Sequence, residues 1–415
     1  MNKKGRSRTK ERRTFIKGSA AAVGAASLPR KLYAAAEAPT KIRFGTAVGM
    51  SGLFVDGSKS TTISQYDLWA KRTNDAGGLM LSKYNKKAPV EIVYYDGRFD
   101  INETTKLTEK LILDDKVDMM LAPWGTAWNI ASAPITNKYE YPVIYTTAGD
   151  SVLYTKANDW PYAFWSLSQP NESVQPMIDW LVQLKKDGKI KGRVAATNIG
   201  IELGVEMANA FAKLAPKAGL DLVFSKSYPP DVTDLQPLLR QVMATNPDAY
   251  FSFSYPPDTF MVTGQAQQLG FSPGVFYVCI GGVFPGYRDQ FGADKVEGIF
   301  AYGGQDPSAP GYDEYAKAMK AMYNQEPEAG AVQVYACLQV VQQAIEKVGE
   351  IDRKKIRDEM AKGGKDTLWG DITWKDQLNA SPWAVGQWQG GKMVGVFPAD
   401  KQNAKPPLFP KPKWA

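Results

Sequence analysis

The chain has 415 residues, 44% of them hydrophobic, with 50 Lys+Arg against 43 Asp+Glu and no histidine. The missing histidine excludes His-based catalytic triads, His general bases and His metal ligands, and no metal or cofactor is expected. The net charge of +7 belongs to the start of the chain: residues 1–36 hold ten Lys+Arg and one acid, so the remainder carries −2, and nucleic-acid binding has no electrostatic basis.

Residues 1–36 have the form of an export signal. "ERRTFIKG" sets Arg12 and Arg13 ahead of a short apolar run, "GSAAAVGAASL", and Ala34-Ala35-Ala36 offers a small-residue cleavage site. The arginine pair, with Arg30 and Lys31 before the cut, makes the segment similar to a twin-arginine leader, with Glu11 standing where Ser or Thr is usual. Nothing after residue 36 approaches the ~18 consecutive apolar residues of a membrane span. A protein that works in the periplasm and is not inserted in the membrane is expected.

The remaining chain exceeds one ordinary core, which predicts two domains. Short apolar strands alternate with amphipathic helices: "KIRFGTAVG", a helix over about 58–74, "VEIVYYD", "NETTKLTEKLILDD", "VDMMLAP", "YPVIYTT", "YAFWSLS". The alternation restarts at about residue 166 and runs through "RVAATN", "DAYFSFS" and "VFYVCIGG"; after Tyr312 the pattern turns helical. Near-continuous apolar strands between helices predict parallel sheets covered on both faces, hence doubly wound α/β lobes. Cys279 and Cys337 sit in apolar periodic runs and read as small core residues, not a disulfide.

In such sheets ligands bind beyond the carboxyl ends of the strands, which singles out the loops 50–58, 123–128, 146–151, 198–204, 254–258 and 281–286. In "MMLAPWGTAWN" the turn Trp124-Gly125 leads into a helix that starts at Thr126. Free N–H groups and a hydroxyl there suit a carboxylate, and Thr146 and Thr147 on the next strand end can share it. Trp124 and Trp128 are candidate walls for an apolar ligand body. The plainer readings are that Thr126 caps its helix, that Trp124 packs in the core and that Trp128 is structural. In "FSFSYPPD", Tyr255 is a candidate lid and Asp258 a candidate N-cap.

The ordered run of "MSG", "DAGG", "VEIVYYDGRFD", "PVIYTTA", "DAYFSFSYPPD", "QAQQLGF", "VEGIFAY" and "WGDITW" is similar to the periplasmic leucine/isoleucine/valine-binding proteins, the amino-acid solute-binding proteins of ABC importers. The resemblance implies the type I periplasmic binding fold, with two lobes joined by three crossover strands around a ligand cleft. On that pattern 37–165 and 303–378 form one lobe, 166–302 and 379–400 the other, and 401–415 an irregular Pro/Lys-rich tail. It implies that Thr126 holds the ligand carboxylate beside Gly125, that Thr147 and Gly149 assist from the neighbouring strand end, and that Tyr255 covers the ligand. An ABC permease with its ATPase subunits is the implied partner.

Three positions depart from the family's pattern. Gly281 and Gly282 stand where an acid should pair the ligand's ammonium, Asp56 where an aromatic is usual, and Leu203 where a tyrosine precedes Gly204. An unpaired buried ammonium is costly. Either Asp56 or Asp150 replaces the charge, or the ligand is an aromatic or aliphatic acid without an amine. Two other roles are a periplasmic ligand-sensing domain and an exported enzyme, which Asp56 and Asp150 alone could serve as paired carboxylates. An enzyme is not expected.

Overall fold

The computed structural model describes residues 37–380 and 382–414. The export-signal reading concerns residues 1–36 and lies outside the described residues. Among the described residues no helix is long and apolar enough to cross a membrane, and no cluster of acidic or Cys side chains could hold a metal ion.

Three parallel strands open the fold: β1 (Ile42–Val48), β2 (Val90–Asp96) and β3 (Met119–Met120), in the order β2-β1-β3. Ile42 lies opposite Val90, and Phe44 opposite Met119. Six of the seven β1 residues are buried, as a strand covered on both faces requires. β4 (Val143–Tyr145) and β5 (Ala163–Trp165) pair in parallel in a second sheet, which Leu378–Asn379 and Trp374–Lys375 complete.

The other lobe is built on a seven-stranded sheet. Its parallel strands are β6 (Arg193–Ile199), β7 (Asp221–Tyr228), β8 (Ala249–Phe253), β9 (Val275–Val278) and β10 (Phe300–Tyr302), in the order β7-β6-β8-β9-β10. β11 (Val385–Gln389) and β12 (Lys392–Phe397) extend it antiparallel beyond β10. In both lobes the strand order reverses at the first strand, between β1 and β3 and between β6 and β8. Loops leaving adjacent strands diverge at such a switch point and leave a crevice. The chain passes between the lobes three times, after β5, after β10 and after Asn379; Tyr302 donates a hydrogen bond to the Ser168 carbonyl at 2.7 Å and ties two of these passages. These are the two doubly wound α/β lobes that the alternation of elements predicted.

One element differs in detail. The helix expected over 58–74 is a turn at Val55–Ser58, a π-helical segment at Lys59–Ile63 and an α-helix at Ser64–Asp75. Consecutive Thr61, Thr62 and Ile63 are β-branched and crowd the preceding turn, and the Ser64 hydroxyl bonds the Ser60 carbonyl at 2.6 Å. The wider turn brings Thr61 and Thr62 into the interior. Cys279 and Cys337 are buried and unpaired, in separate cores. Residues 401–414 carry no helix or strand. They run against the larger sheet's lobe, where the Lys411 amide bonds Gly274 O at 2.8 Å.

Candidate functional site

The ends of β3 and β4 meet at the first crevice. Gly125 has φ +99°, and a Cβ there would lie 2.5 Å from the Trp128 ring, so only glycine makes this turn. Its amide donates to Thr147 Oγ1 at 2.8 Å. Thr126 follows as the first residue of the helix Thr126–Lys138. Its hydroxyl donates to Thr147 O at 3.5 Å and accepts from the Gly149 amide at 3.3 Å. The two threonines and Gly149 thus form one network, with Gly125 as the N-cap position.

Tyr255 enters from the other lobe, at the end of β8. It is the N-cap of the helix Pro256–Gln268, and Asp258 is the third helical residue, accepting from the Tyr255 amide at 3.1 Å. Asp258 is therefore not the cap expected from sequence but the residue that reaches back to it. Burial pushes its carboxyl up to about 6, against hydrogen bonds from Tyr228 and the Tyr255 amide that favour the charged form.

Aromatic rings hold the two lobes together. Phe54 and Tyr255 lie 5.4 Å apart between centroids and Trp124 and Tyr255 6.1 Å, while Phe99 and Trp128, 5.2 Å apart, back them within the first lobe. Phe54, two residues before Asp56, is the buried ring of this segment. Gly57 lets this segment approach: a Cβ would stand 2.9 Å from the Trp124 ring. The lobes are in contact across the crevice.

Beneath the cluster lies a cavity of about 60 Å³. Since one water needs ~10–15 Å³ on this measure, it has room for a small organic molecule. Trp124, Gly125, Thr146 and Thr147 face it from one side, and Leu203, Tyr255, Ile280, Val283 and Phe284 from the other. Thr61, Tyr302, Glu328, Gln333 and Trp369 close it. The walls are mostly apolar, with polar atoms in few places, as small-ligand sites require. Two of those atoms, Thr146 Oγ1 and Glu328 Oε1, are buried without a hydrogen-bond partner.

Glu328 is the N-cap of the helix Ala329–Val348, and its Oε2 accepts from the Gly330 amide at 2.7 Å. Burial pushes its carboxyl up to about 7, while the Gly330 amide, the Thr61 hydroxyl and the Ala331 amide favour the charged form. Gln333 on the same helix donates to Thr146 O at 3.0 Å and Ser166 Oγ at 2.9 Å.

Of the residues singled out from sequence, Trp124, Gly125, Thr147 and Tyr255 face the cavity. Thr126 and Gly149 are bonded to each other beside it, and the Thr126 hydroxyl also meets Tyr255. Neither acid named as a substitute partner for an ammonium reaches it. Asp56 is exposed, in an outer groove with Leu53 and Lys59. Asp150 accepts from the Val152 amide at 2.8 Å, and burial raises its carboxyl. Gly281 explains why its own loop lacks the acid. Its φ is +95°, and a Cβ would lie 2.9 Å from Pro256 Cα.

Sequence reasoning missed Glu328, Thr61, Tyr302, Gln333 and Trp369. The available signal was "EPEAGA", a glutamate at a helix start where Ser, Thr, Asp or Asn is preferred.

The profile of the periplasmic binding protein family matches residues 41–392. The chain belongs to that family. Among its relatives, Leu/Ile/Val-binding protein homolog 8 of Brucella melitensis is 24% identical over 391 residues, covering 88% of this chain and 92% of that protein. LivJ of Streptococcus pneumoniae, a branched-chain amino acid transporter substrate-binding protein in complex with isoleucine, superposes with a TM-score of 0.72 at 19% identity, covering 85% of this chain and 97% of that one. A solute-binding protein of an ABC transporter from R. palustris, in complex with benzoate, has a TM-score of 0.72 at 18% identity, covering 90% and 97%. This periplasmic binding protein thus shares its fold with proteins whose ligands differ in having or lacking an amine.

Proposed function

We propose that the protein is the periplasmic receptor of an ABC importer, closing over a small carboxylate-bearing molecule with an apolar body and presenting it to a permease with its ATPase subunits. The first expectation is an amino acid with an apolar side chain; the alternative is an aromatic or aliphatic acid without an amine. The cavity between the lobes carries this reading, because the buried Thr146 hydroxyl lacks a partner there while Trp124, Leu203 and Tyr255 supply apolar walls. Isoleucine and benzoate, held by the two similar structures, both join a carboxylate to an apolar body.

A ligand that touches both lobes favours the closed arrangement over the open one, and a permease need only recognise the closed surface. Export by the twin-arginine route would deliver the chain already folded. The test is a thermal-shift screen of apolar amino acids and of the corresponding carboxylic acids. A ligand at 100-fold its Kd stabilises by about 2.7 kcal/mol, a clear rise in melting temperature. A screen in which no carboxylate shifts the transition, while neutral or cationic solutes do, overturns the proposal.

A further inference from the structure

Resting on that reading, we propose that Glu328 receives a protonated amine of the ligand, so that the site selects amine-bearing acids over the matching amine-free acids. Glu328 is 2% exposed and lines the cavity, and its Oε1 makes no hydrogen bond of good geometry, although the Thr61 hydroxyl and the Ala331 amide lie near the carboxylate. A carboxylate in that state is costly to keep unless a cation joins it.

Helix capping accounts for only half of the side chain. Oε2 takes the Gly330 amide, and Oε1 has no part in the cap. Elsewhere in this chain the same job falls to Asp100 and Asp352, whose shorter side chains accept from Glu103 N and Lys355 N. The longer arm at 328 instead folds back over Gly330. A Cβ on Gly330 would lie 3.0 Å from Thr61 Cγ2 and 3.2 Å from the Glu328 carboxylate.

The two unpartnered atoms are complementary. Gln333 bonds the Thr146 carbonyl and follows Glu328 by five residues, about 7.5 Å along the helix axis at ~1.5 Å per residue. A donor hydroxyl at Thr146 and an acceptor oxygen at Glu328 therefore share one small cavity, the first suited to a carboxylate and the second to an ammonium. In the loop after β9 no acid faces the cavity: Ile280, Val283 and Phe284 line it, and Gly281 has a positive φ and abuts Pro256. The acid comes from the opposite wall.

Calorimetric titration of the wild type and of Glu328→Gln tests this, using L-leucine with 4-methylpentanoate and L-phenylalanine with 3-phenylpropanoate. The wild type should prefer the amino acid of a pair at least 100-fold. Glu328→Gln keeps an oxygen for the Gly330 amide. It should bring the two members of the pair within about threefold while binding the amine-free acid no worse than wild type does. Glu328→Asp, which keeps the charge but withdraws it by one methylene, should lose about tenfold of the preference and serves as a second variant if Gln fails to fold. Equal losses for both members of a pair, or a wild type that binds the amine-free acid as tightly, overturn the assignment and leave the receptor reading intact. A wild type that binds neither member of either pair overturns the assignment, and the receptor reading falls with it only if no carboxylate in the thermal-shift screen binds.

Discussion

The pH dependence of ligand binding follows from the Glu328 environment. Burial raises this carboxyl from its ordinary 4.5 to about 7. At ~1.36 kcal/mol per unit, keeping it ionised in the folded chain costs about 3 kcal/mol. Between pH 4.5 and about 7 the folded state holds a proton that the unfolded chain releases. Its contribution to stability is therefore complete below pH 4.5 and is lost as the pH rises through about 7. Ligand binding runs the other way. An ammonium pairs only with the ionised carboxylate, so affinity for an amino acid should fall roughly tenfold from pH 8 to pH 6, with about half a proton released per ligand at pH 7. The neighbours do not obscure this. Tyr255 and Tyr302 across the cavity, and Tyr312 and Tyr315 behind the carboxylate, are all held above their ordinary value by burial and keep one charge state over this range. Asp258, beside Tyr255, titrates at about 6, and any pH dependence it causes persists in Glu328→Gln. Calorimetry at pH 6, 7 and 8 in two buffers of different ionisation enthalpy counts the protons. Equal affinity at pH 6 and 8, or proton uptake on binding, would refute the reasoning.

Two substitutions probe the loops around the cavity. Thr126→Ala leaves the Gly149 amide without its acceptor and should lower stability in urea unfolding by about 1–3 kcal/mol, with Kd for a carboxylate ligand changed less than threefold; an affinity loss larger than the stability loss would put Thr126 in direct ligand contact. Gly281→Asp, which restores an acid to the loop after β9, forces a side chain onto a backbone at φ +95° and against Pro256. It should cost at least about 1–2 kcal/mol, and an unchanged melting temperature would contradict the geometry.

The fold was legible because apolar strands such as Ile42–Val48 and Ala249–Phe253 are covered on both faces and stand between helices of regular period. Strand-end logic then pointed to the loops of Trp124, Thr146 and Tyr255, which do meet at one cavity. Local pattern failed where the site depends on contacts distant in sequence. Glu328 reaches a cavity shared with Thr146 only because the chain returns to the first lobe after β10, and nothing within "EPEAGA" records that return. Thr126 stands at a helix start, as its sequence context suggests, while the backbone amide of Gly149 that donates to its hydroxyl is 23 residues away and could not be read locally.

If the cavity's unpartnered hydroxyl receives a ligand carboxylate, Thr146→Val separates that role from a structural one. The hydroxyl is buried without a partner, so the isosteric apolar residue should leave stability unchanged or raise it by up to about 1 kcal/mol, while the lost charge-assisted hydrogen bond weakens carboxylate binding by about 1.5–3 kcal/mol, roughly ten- to 150-fold. Unfolding and titration of the same variant give both numbers. Affinity equal to wild type in a variant of undiminished stability would contradict the account.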